Sequence, residues 1–276
     1  MHLSGANTLM GEAEGDFDGH AHVFDTSLQM AEDRRYTPLA DAPYLLYRNI
    51  LRQIGLDGAL VVQPSFYGTN NGFLLNVLDT AKRQGELNIK GVAVVPPDTS
   101  AETIAEMSAR GVIGMRLNLV GWAYEQFDIA QWLDVFELAN RAGWHVEIHL
   151  EGHRLGELLP KLLRHCDRVV VDHFGLPDAE DPVGCPGQAA ILGAPVGSLM
   201  VKVSGPYRVF EGYDGTSAAR RCWPIFNRIL ERHGPENLLW GSDWPWTRFE
   251  DQHSFQETLD WRDIWLSVDE SEAALP

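Results

Sequence analysis

Imidazole and carboxylate side chains stand at the ends of several short apolar runs in this chain. They are His20 and His22 in GHAHVF, His149 in WHVEIHL, His173 in VVVDHFG and Asp243 in LLWGSDWP. Four imidazoles with one carboxylate form a normal ligand set for a divalent metal, and zinc is the commonest candidate. The same groups can also act directly on a substrate, because histidine can polarise a carbonyl and aspartate can take a proton from water. The residue types therefore predict a hydrolytic site, with or without a metal.

The runs that carry these residues have the length of β-strands, and amphipathic stretches of helical length separate most of them. Strands that alternate with helices predict βαβ units and a parallel sheet. Eight strand-plus-helix units can be assigned, with a short or irregular sixth helix. A chain of 276 residues is normal for an α/β fold with a single (β/α)8 barrel. The C-terminal strand ends of such a barrel share one rim, so these distant residues should converge there.

Side-chain alternation along the strands predicts which groups point into the barrel. The polar faces comprise Asp18, His20 and His22 in the first strand, His145, Glu147 and His149 in the fifth, and Lys202 and Ser204 in the seventh. A buried lone charge is costly, so Glu147 and Lys202 should pair with each other or with Asp18 beneath the site.

Composition excludes several classes of function. The net charge of −17 argues against nucleic acid and anionic membranes as partners. The three cysteines lack metal-site spacing and suit a reducing compartment. No signal peptide and no apolar run of membrane-spanning length is found, so a cytoplasmic location is expected. We expect a flexible arm over residues 1–15 and one barrel domain over 16–276. The sequence is compatible with a homo-oligomer.

The ordered motifs of the chain are similar to those of a known superfamily. The motifs are GHAHVFD, MRLNLVG, WHVEIHLEG, VVVDHFG, VKVSGPYR and WGSDWP. From about residue 16 to residue 246 the chain resembles the amidohydrolase superfamily. Within it, the likeness is to the amidohydrolase-related branch of pyrone-dicarboxylate lactonases and sugar-lactone and muconolactone hydrolases.

The resemblance implies roles for individual residues. It implies that His20, His22, His149 and His173 are the site histidines and that Asp243 activates water. It also implies that Arg116 and Arg208 hold an acid group of the substrate, for which the guanidinium fork is suited. Without the resemblance, Arg116 could equally be a buried structural ion pair and Arg208 a surface arginine. Two roles are compatible with Ser65, Tyr67 and Thr69. These residues could donate hydrogen bonds to the substrate, or they could simply stabilise the turn after the second strand.

The chain also departs from the superfamily at several positions. Arg116 stands where metal-bridging members often carry a modified lysine, which argues against a binuclear site. The pyrone-dicarboxylate lactonases work without metal and have a tyrosine where this chain has His149. A further arginine of those lactonases corresponds to Trp122, which argues against recognition of two carboxylates. The superfamily's usual closing segment after the eighth helix is not found before Pro276.

These observations predict a hydrolase that opens a lactone bearing at least one carboxylate. Asp243 would activate water, while His20, His22 and His173, through one metal or directly, would polarise the ring carbonyl. The sequence is compatible with two kinds of site. One is metal-independent. The other holds one divalent metal, with zinc as the first candidate, and its ligands would be His20, His22, His149, His173 and Asp243. A metal-dependent decarboxylase of the same superfamily and a non-catalytic binding barrel are the alternatives.

Overall fold

The structure, a computed structural model, describes residues 3–11, 15–123 and 126–267. Eight parallel strands form one sheet in chain order, as the alternation of strands and helices predicts. The strands are β1 (Phe17–Ala21), β2 (Gly58–Val62), β3 (Asn88–Ala93), β4 (Val112–Asn118), β5 (His145–His149), β6 (Val169–Val171), β7 (Leu199–Val203) and β8 (Leu238–Trp240). Backbone hydrogen bonds from Asp243 N to His20 O (2.8 Å) and from His22 N to Trp244 O (2.7 Å) join the first and last strands. The fold is a (β/α)8 barrel.

The helices surround this sheet. They are α1 (Gly5–Met10), α2 (Tyr44–Ile54), α3 (Gly72–Gln84), α4 (Ala101–Ala109), α5 (Leu133–Arg141), α6 (Gly152–Leu162), α7 (Pro186–Gly193), α8 (Pro206–Val209), α9 (Gly215–His233) and α10 (Phe255–Ser267). Helix α4 begins as its sequence predicts, because the Ser100 side chain accepts a hydrogen bond from Thr103 N. The sixth unit has the short α7, which agrees with the irregular helix expected there.

The N-terminal segment differs from the flexible arm that we predicted for residues 1–15. Residues 5–10 form α1, and Ala6, Leu9 and Met10 pack with Phe17 and Leu239 in an apolar cluster. Gly5 lies so close to β8 that an added Cβ would come within 2.5 Å of Leu238 O. Helix α1 is held against the barrel because its apolar side chains cover the N-terminal end of the barrel, where they are removed from water.

The first strand also departs from simple alternation. The register between β1 and β2 shifts between Asp18 and Ala21. As a result, Asp18 does not share the inward face with His20. It accepts hydrogen bonds from Tyr47 Oη (2.8 Å) and Ser242 N (2.8 Å) instead of pairing with Lys202. Burial raises the pKa of Asp18 to about 6, against the opposing effect of the Ser242 hydrogen bonds.

The expected domain over 16–276 extends beyond the described residues, since positions 268–276, including the chain end at Pro276, lie outside them. Within the described ranges, no helix has both the length and the apolar character needed to cross a bilayer.

Candidate functional site

The five residues predicted from the strand ends meet at the C-terminal rim. The rings of His20 and His22 have centroids 4.9 Å apart, and that of His173 lies 4.8 Å from His20. His149 extends the group, with its ring centroid 5.1 Å from that of His173. Asp243 Oδ1 lies 3.8 Å from His20 Nε2. Strands β1, β5, β6 and β8 thus bring together groups from nearly the whole length of the sequence.

Backbone conformations at this rim are unusual for residues with side chains. His173 has a φ of 48° and Asp243 a φ of 59°, both in the left-handed region. Gly205, which follows β7, has a φ of 52°, and an added Cβ would lie 2.8 Å from Asp243 Oδ2. Such conformations concentrate at functional sites, where the surrounding structure maintains them. Gly205 is needed here because its missing side chain leaves room for the carboxylate.

The two oxygens of Asp243 have different surroundings. Oδ2 accepts hydrogen bonds from Tyr207 Oη (2.6 Å) and Arg208 Nε (2.5 Å). Oδ1 is buried and has no hydrogen-bond partner among the described residues. Burial alone would raise the pKa of Asp243, but the charges of Arg208 and the histidines hold it well below its usual range. Asp243 is therefore an ionised carboxylate with one oxygen fixed and the other available.

A chain of hydrogen bonds determines where the protons of His20 and His22 lie. The ammonium of Lys202, paired with Glu147 Oε2 at 2.5 Å, can only donate, so His20 Nδ1 at 2.8 Å accepts. Neutral His20 then carries its proton on Nε2, which lies 3.3 Å from His22 Nε2. His22 Nδ1 donates to Val62 O at 2.8 Å, so its Nε2 is the acceptor. The tautomers follow from the fold.

The site histidines are neutral at neutral pH. Burial lowers the pKa of His22 to about 3 and that of His173 to about 4. Burial, followed by the charge of Lys202, holds the pKa of His20 well below its usual value, and burial with the charge of Arg116 does the same for His149. The positive charge of the site therefore comes from arginine and lysine.

The donor set was tested for its fit to a metal. Among the described residues, two groups of possible ligand atoms lie within 4.8 Å of one another: His20, His22 and Asp243, and His20, Asp172 and His173. His149 is in neither group. A metal at the first group would need the lone pair of His20 Nε2, but Lys202 directs the His20 proton to that atom. The second group also uses His20, whose other nitrogen, Nδ1, accepts the hydrogen bond from Lys202. In this hydrogen-bonded state neither group fits a metal.

The two predicted arginines are both engaged with carboxylates. Arg116 donates from Nε (2.9 Å) and Nη2 (2.7 Å) to Asp172 Oδ2, and its Nε is 3.3 Å from Glu147 Oε1. Burial would raise the pKa of Asp172, but Arg116 and Lys202 hold it well below its usual range. Arg116 is 4% exposed, so it belongs mainly to the buried charge cluster. It nevertheless lines the cavity at the rim, together with Arg208.

The residues after β2 have different surroundings. Ser65 lines the cavity beside His22 and Arg116, and Thr69 lines a second, outer cavity that adjoins it. The Tyr67 hydroxyl instead contacts the backbone of Asp25, donating to its carbonyl at 2.6 Å. The structure thus places Ser65 and Thr69 at cavities, whereas the Tyr67 hydroxyl stabilises the loop that contains Asp25.

Sequence reasoning missed three residues that the structure brings to the site. Tyr207 precedes Arg208 in the motif SGPYR, and Asp172 precedes His173, so adjacency to a candidate was the signal available for both. Arg35 lies in the long loop after β1 and lines the cavity with no motif to mark it. Only the folded chain brings that loop over the rim.

Comparison with known proteins bears on the fold and the family. The family model described as amidohydrolase matches residues 17–275. The 2-pyrone-4,6-dicarboxylate hydrolase of Comamonas testosteroni is 30% identical over 249 residues, covering 86% of this chain and 79% of the relative.

Two solved structures agree with this result. One is described as a 2-pyrone-4,6-dicarboxylic acid hydrolase of Pseudomonas putida; it is 36% identical, has a TM-score of 0.82, and the match covers 100% of this chain and 95% of that one. The other, described as the same hydrolase from Acinetobacter baumannii with citric acid bound, is 29% identical. Its TM-score is 0.83, with 94% of this chain and 95% of that one covered.

Proposed function

Because this chain belongs to the amidohydrolase family, we propose that it is a hydrolase that opens the ring of a carboxylate-bearing lactone. The names of its relatives support the reaction class, since the 30% and 36% identical proteins are described as hydrolases of a pyrone dicarboxylate. A relative with citric acid bound supports an anionic small molecule as the ligand. The roles of individual residues below are argued from the site itself.

The observation that carries the proposal is the asymmetric environment of Asp243. Tyr207 and Arg208 hold Oδ2, which leaves Oδ1 as a buried acceptor without a hydrogen bond among the described residues. A fixed carboxylate with one free oxygen is suited to take a proton from water beside the substrate carbonyl. Asp243 is accordingly the general base of the proposed reaction.

The histidines divide between donating and accepting. His20 Nε2 carries a proton that His22 Nε2 accepts in the free site, and on substrate binding this N–H would donate instead to the carbonyl oxygen as negative charge develops there. His22 Nε2 is an acceptor in this tautomer, so its role is to orient His20. His173, hydrogen-bonded through Nδ1 to Ser204 Oγ (2.8 Å), is the second group that can polarise the carbonyl.

The proposed reaction needs no group beyond these side chains and water. Asp243 takes one proton from water while the water oxygen forms a bond to the ring carbonyl carbon. The tetrahedral oxyanion accepts hydrogen bonds from His20 and His173. Its collapse breaks the bond to the ring oxygen, which receives the proton from Asp243. The product is the open chain with a new carboxylic acid, and Asp243 is restored as a carboxylate.

Arg208 explains why an anionic substrate suits this base. The arginine holds the pKa of Asp243 well below its usual range, which weakens the carboxylate as a base. An acid group of the substrate that contacts the same guanidinium would share its charge, so less of that charge would stabilise ionised Asp243. Binding of the correct anion would thereby strengthen the base while it orients the ring.

The test is hydrolysis of a panel of lactones with and without acid groups, analysed by mass spectrometry. A lactonase gives products that have gained one water, whereas the alternative decarboxylase releases carbon dioxide and a binding barrel leaves every compound unchanged. In water labelled with oxygen-18, the label should appear in the new carboxylate. Absence of turnover for every carboxylated lactone would contradict the proposal.

A further inference from the structure

Three cations of the inner site are paired with the protein's own carboxylates. Arg116 contacts Asp172 at 2.7 Å, Arg208 contacts Asp243 at 2.5 Å, and Lys202 contacts Glu147 at 2.5 Å. An acid group that binds Arg116 or Arg208 must therefore compete with a carboxylate that is already present. A cation without such a partner would attract a ligand's acid group more effectively.

Arg35 is such a cation. It lies in the loop between β1 and α2, and its guanidinium reaches the end of β4. Its Nη2 donates to Asn118 Oδ1 at 2.8 Å and its Nη1 donates to Val120 O, both of which are neutral acceptors. Among the described residues, no carboxylate oxygen lies within 4.0 Å of this guanidinium. In a chain with a net charge of −17, such an arginine is positioned to bind an anion.

The guanidinium is fixed in place. A guanidinium has five N–H donors, and of these the described part of the chain engages two, through Asn118 and Val120. Gly121, with a φ of 75°, lets the loop after β4 close against Arg35, since an added Cβ would lie 3.3 Å from Nη1. Because the anchors are neutral, the side chain is held without loss of its charge, which lowers the entropy cost of binding.

Arg35 stands between two cavities. It lines the inner cavity with Arg116, His149 and His173, and also lines the outer cavity walled by Trp122 and Trp132. Burial lowers the pKa of Arg35, and the positive charges of Arg116 and Arg248 lower it further against the effect of Glu151. Because Arg35 has no carboxylate in contact among the described residues, its charge contributes a positive potential at this boundary.

We propose that Arg35 binds an acid group of the substrate at the boundary of the two cavities and so selects substrates with two separated acid groups. One acid group would reach Arg208 beside Asp243, and the other would bind the remaining donors of Arg35. This assignment deepens the proposed function and rests on it. It makes Arg35 a specificity-determining residue for the outer acid group, a carboxylate or sulfonate.

The test compares binding of benzene-1,3-dicarboxylate and benzoate by calorimetry, which requires no turnover. Wild-type protein should bind the dianion at least ~10-fold more tightly than the monoanion, the scale of one hydrogen-bonded charge. Arg35→Met should remove this difference by weakening binding of the dianion, and Arg35→Lys should restore part of it. The dianion's advantage should also shrink at high salt.

The matched control is Arg154→Met. Arg154 also tethers this loop, donating to Trp122 O at 2.9 Å, and does not line either of the two cavities. If Arg35 only holds the loop, the two variants should behave alike, with both probes affected equally. That result, or wild-type protein that binds both probes equally or neither, would overturn the assignment. A dianion preference in a protein that hydrolyses no lactone would contradict the proposed function alone.

Discussion

The barrel floor and the barrel rim both contain charged groups, but they use them differently. On the floor, Glu147 and Lys202 are fully buried, and each contacts more than one oppositely charged or hydrogen-bonding neighbour. Three carboxylate oxygens, Glu147 Oε1, Asp172 Oδ1 and Asp243 Oδ1, have no hydrogen bond among the described residues. The two on the floor lie 3.3 Å from Arg116 Nε and 3.4 Å from Lys202 Nζ, whereas Asp243 Oδ1 at the rim lies 3.8 Å from neutral His20, and Arg35 has only neutral partners among the described residues. The comparison teaches that pairing with an opposite charge marks the groups that hold the strands, while its absence marks those available to a ligand.

The largest effect is expected on the floor. Lys202→Met leaves Glu147 and Asp172 with Arg116 as their remaining shared cation, so the free energy of unfolding should fall by about 3–5 kcal/mol. Urea denaturation measures this. The double variant Lys202→Met with Glu147→Gln should recover part of the loss, because one of the two buried carboxylates is then replaced by a neutral amide. If the losses of stability in the two single variants simply add in the double variant, Lys202 and Glu147 are not coupled. That result would contradict the description of the floor charges as paired.

At the rim, Asp243→Asn should affect rate more than folding. The amide keeps the size of the side chain but cannot accept a proton, so kcat should fall by ~10² or more. The control is Tyr207→Phe, which removes a donor to Oδ2 and leaves Oδ1 in place, so its loss should be smaller. Steady-state kinetics on a carboxylated lactone measures both. A nearly wild-type rate for Asp243→Asn would show that another group is the base.

Arg208→Met should separate substrates by charge. Loss of its guanidinium should weaken binding of carboxylated lactones by about 1.5–3 kcal/mol and affect neutral lactones less. Arg116→Met should instead reduce stability as well, because Arg116 is the partner of buried Asp172. The measurements are KM and inhibitor binding for each substrate type. Equal losses on charged and neutral lactones would remove the role of Arg208 in acid binding.

Acid should destabilise the fold through the neutral rim histidines. Burial lowers the pKa of His22 to about 3, whereas the unfolded chain titrates near 6.5. Between these values the unfolded state binds more protons, so stability is retained above pH ~6.5 and lost as the pH falls. The share of one such histidine is ~1.4 kcal/mol per pH unit. Urea denaturation between pH 6.5 and 4.5 should show a shallower slope for His22→Gln, and an unchanged slope would contradict this origin.

The smallest effect is expected from metal removal. Lys202 directs the proton of His20 to Nε2, so treatment with a chelator should leave lactone hydrolysis within about twofold of its original rate. Elemental analysis of the purified protein should find no stoichiometric divalent metal. Nitrogen-15 NMR should show the His20 proton on Nε2. Activity that depends on an added divalent metal would overturn both the tautomer and the metal-free reaction.

Periodicity and residue type were enough to predict the barrel and most of its rim. Strand-length apolar runs separated by amphipathic segments predicted eight units in chain order, and residues at the run ends predicted the five-residue cluster. These inferences succeed because strand direction in a parallel barrel places every C-terminal end at one rim. Alternation also identified Glu147 and Lys202 as inward-facing partners, since the period of two depends only on the local backbone.

Contacts between distant segments depended on the tertiary structure. The sequence could not show that Arg208 would contact Asp243, that Arg116 would contact Asp172, or that the loop carrying Arg35 would cross the end of β4. The register shift in β1 moved Asp18 away from Lys202, and α1 became ordered only because the barrel offered it an apolar surface. The amino-acid sequence determined which chemical groups reach the rim. The tertiary structure decided which are neutralised and which stay free, because pairing depends on distances that no local pattern encodes.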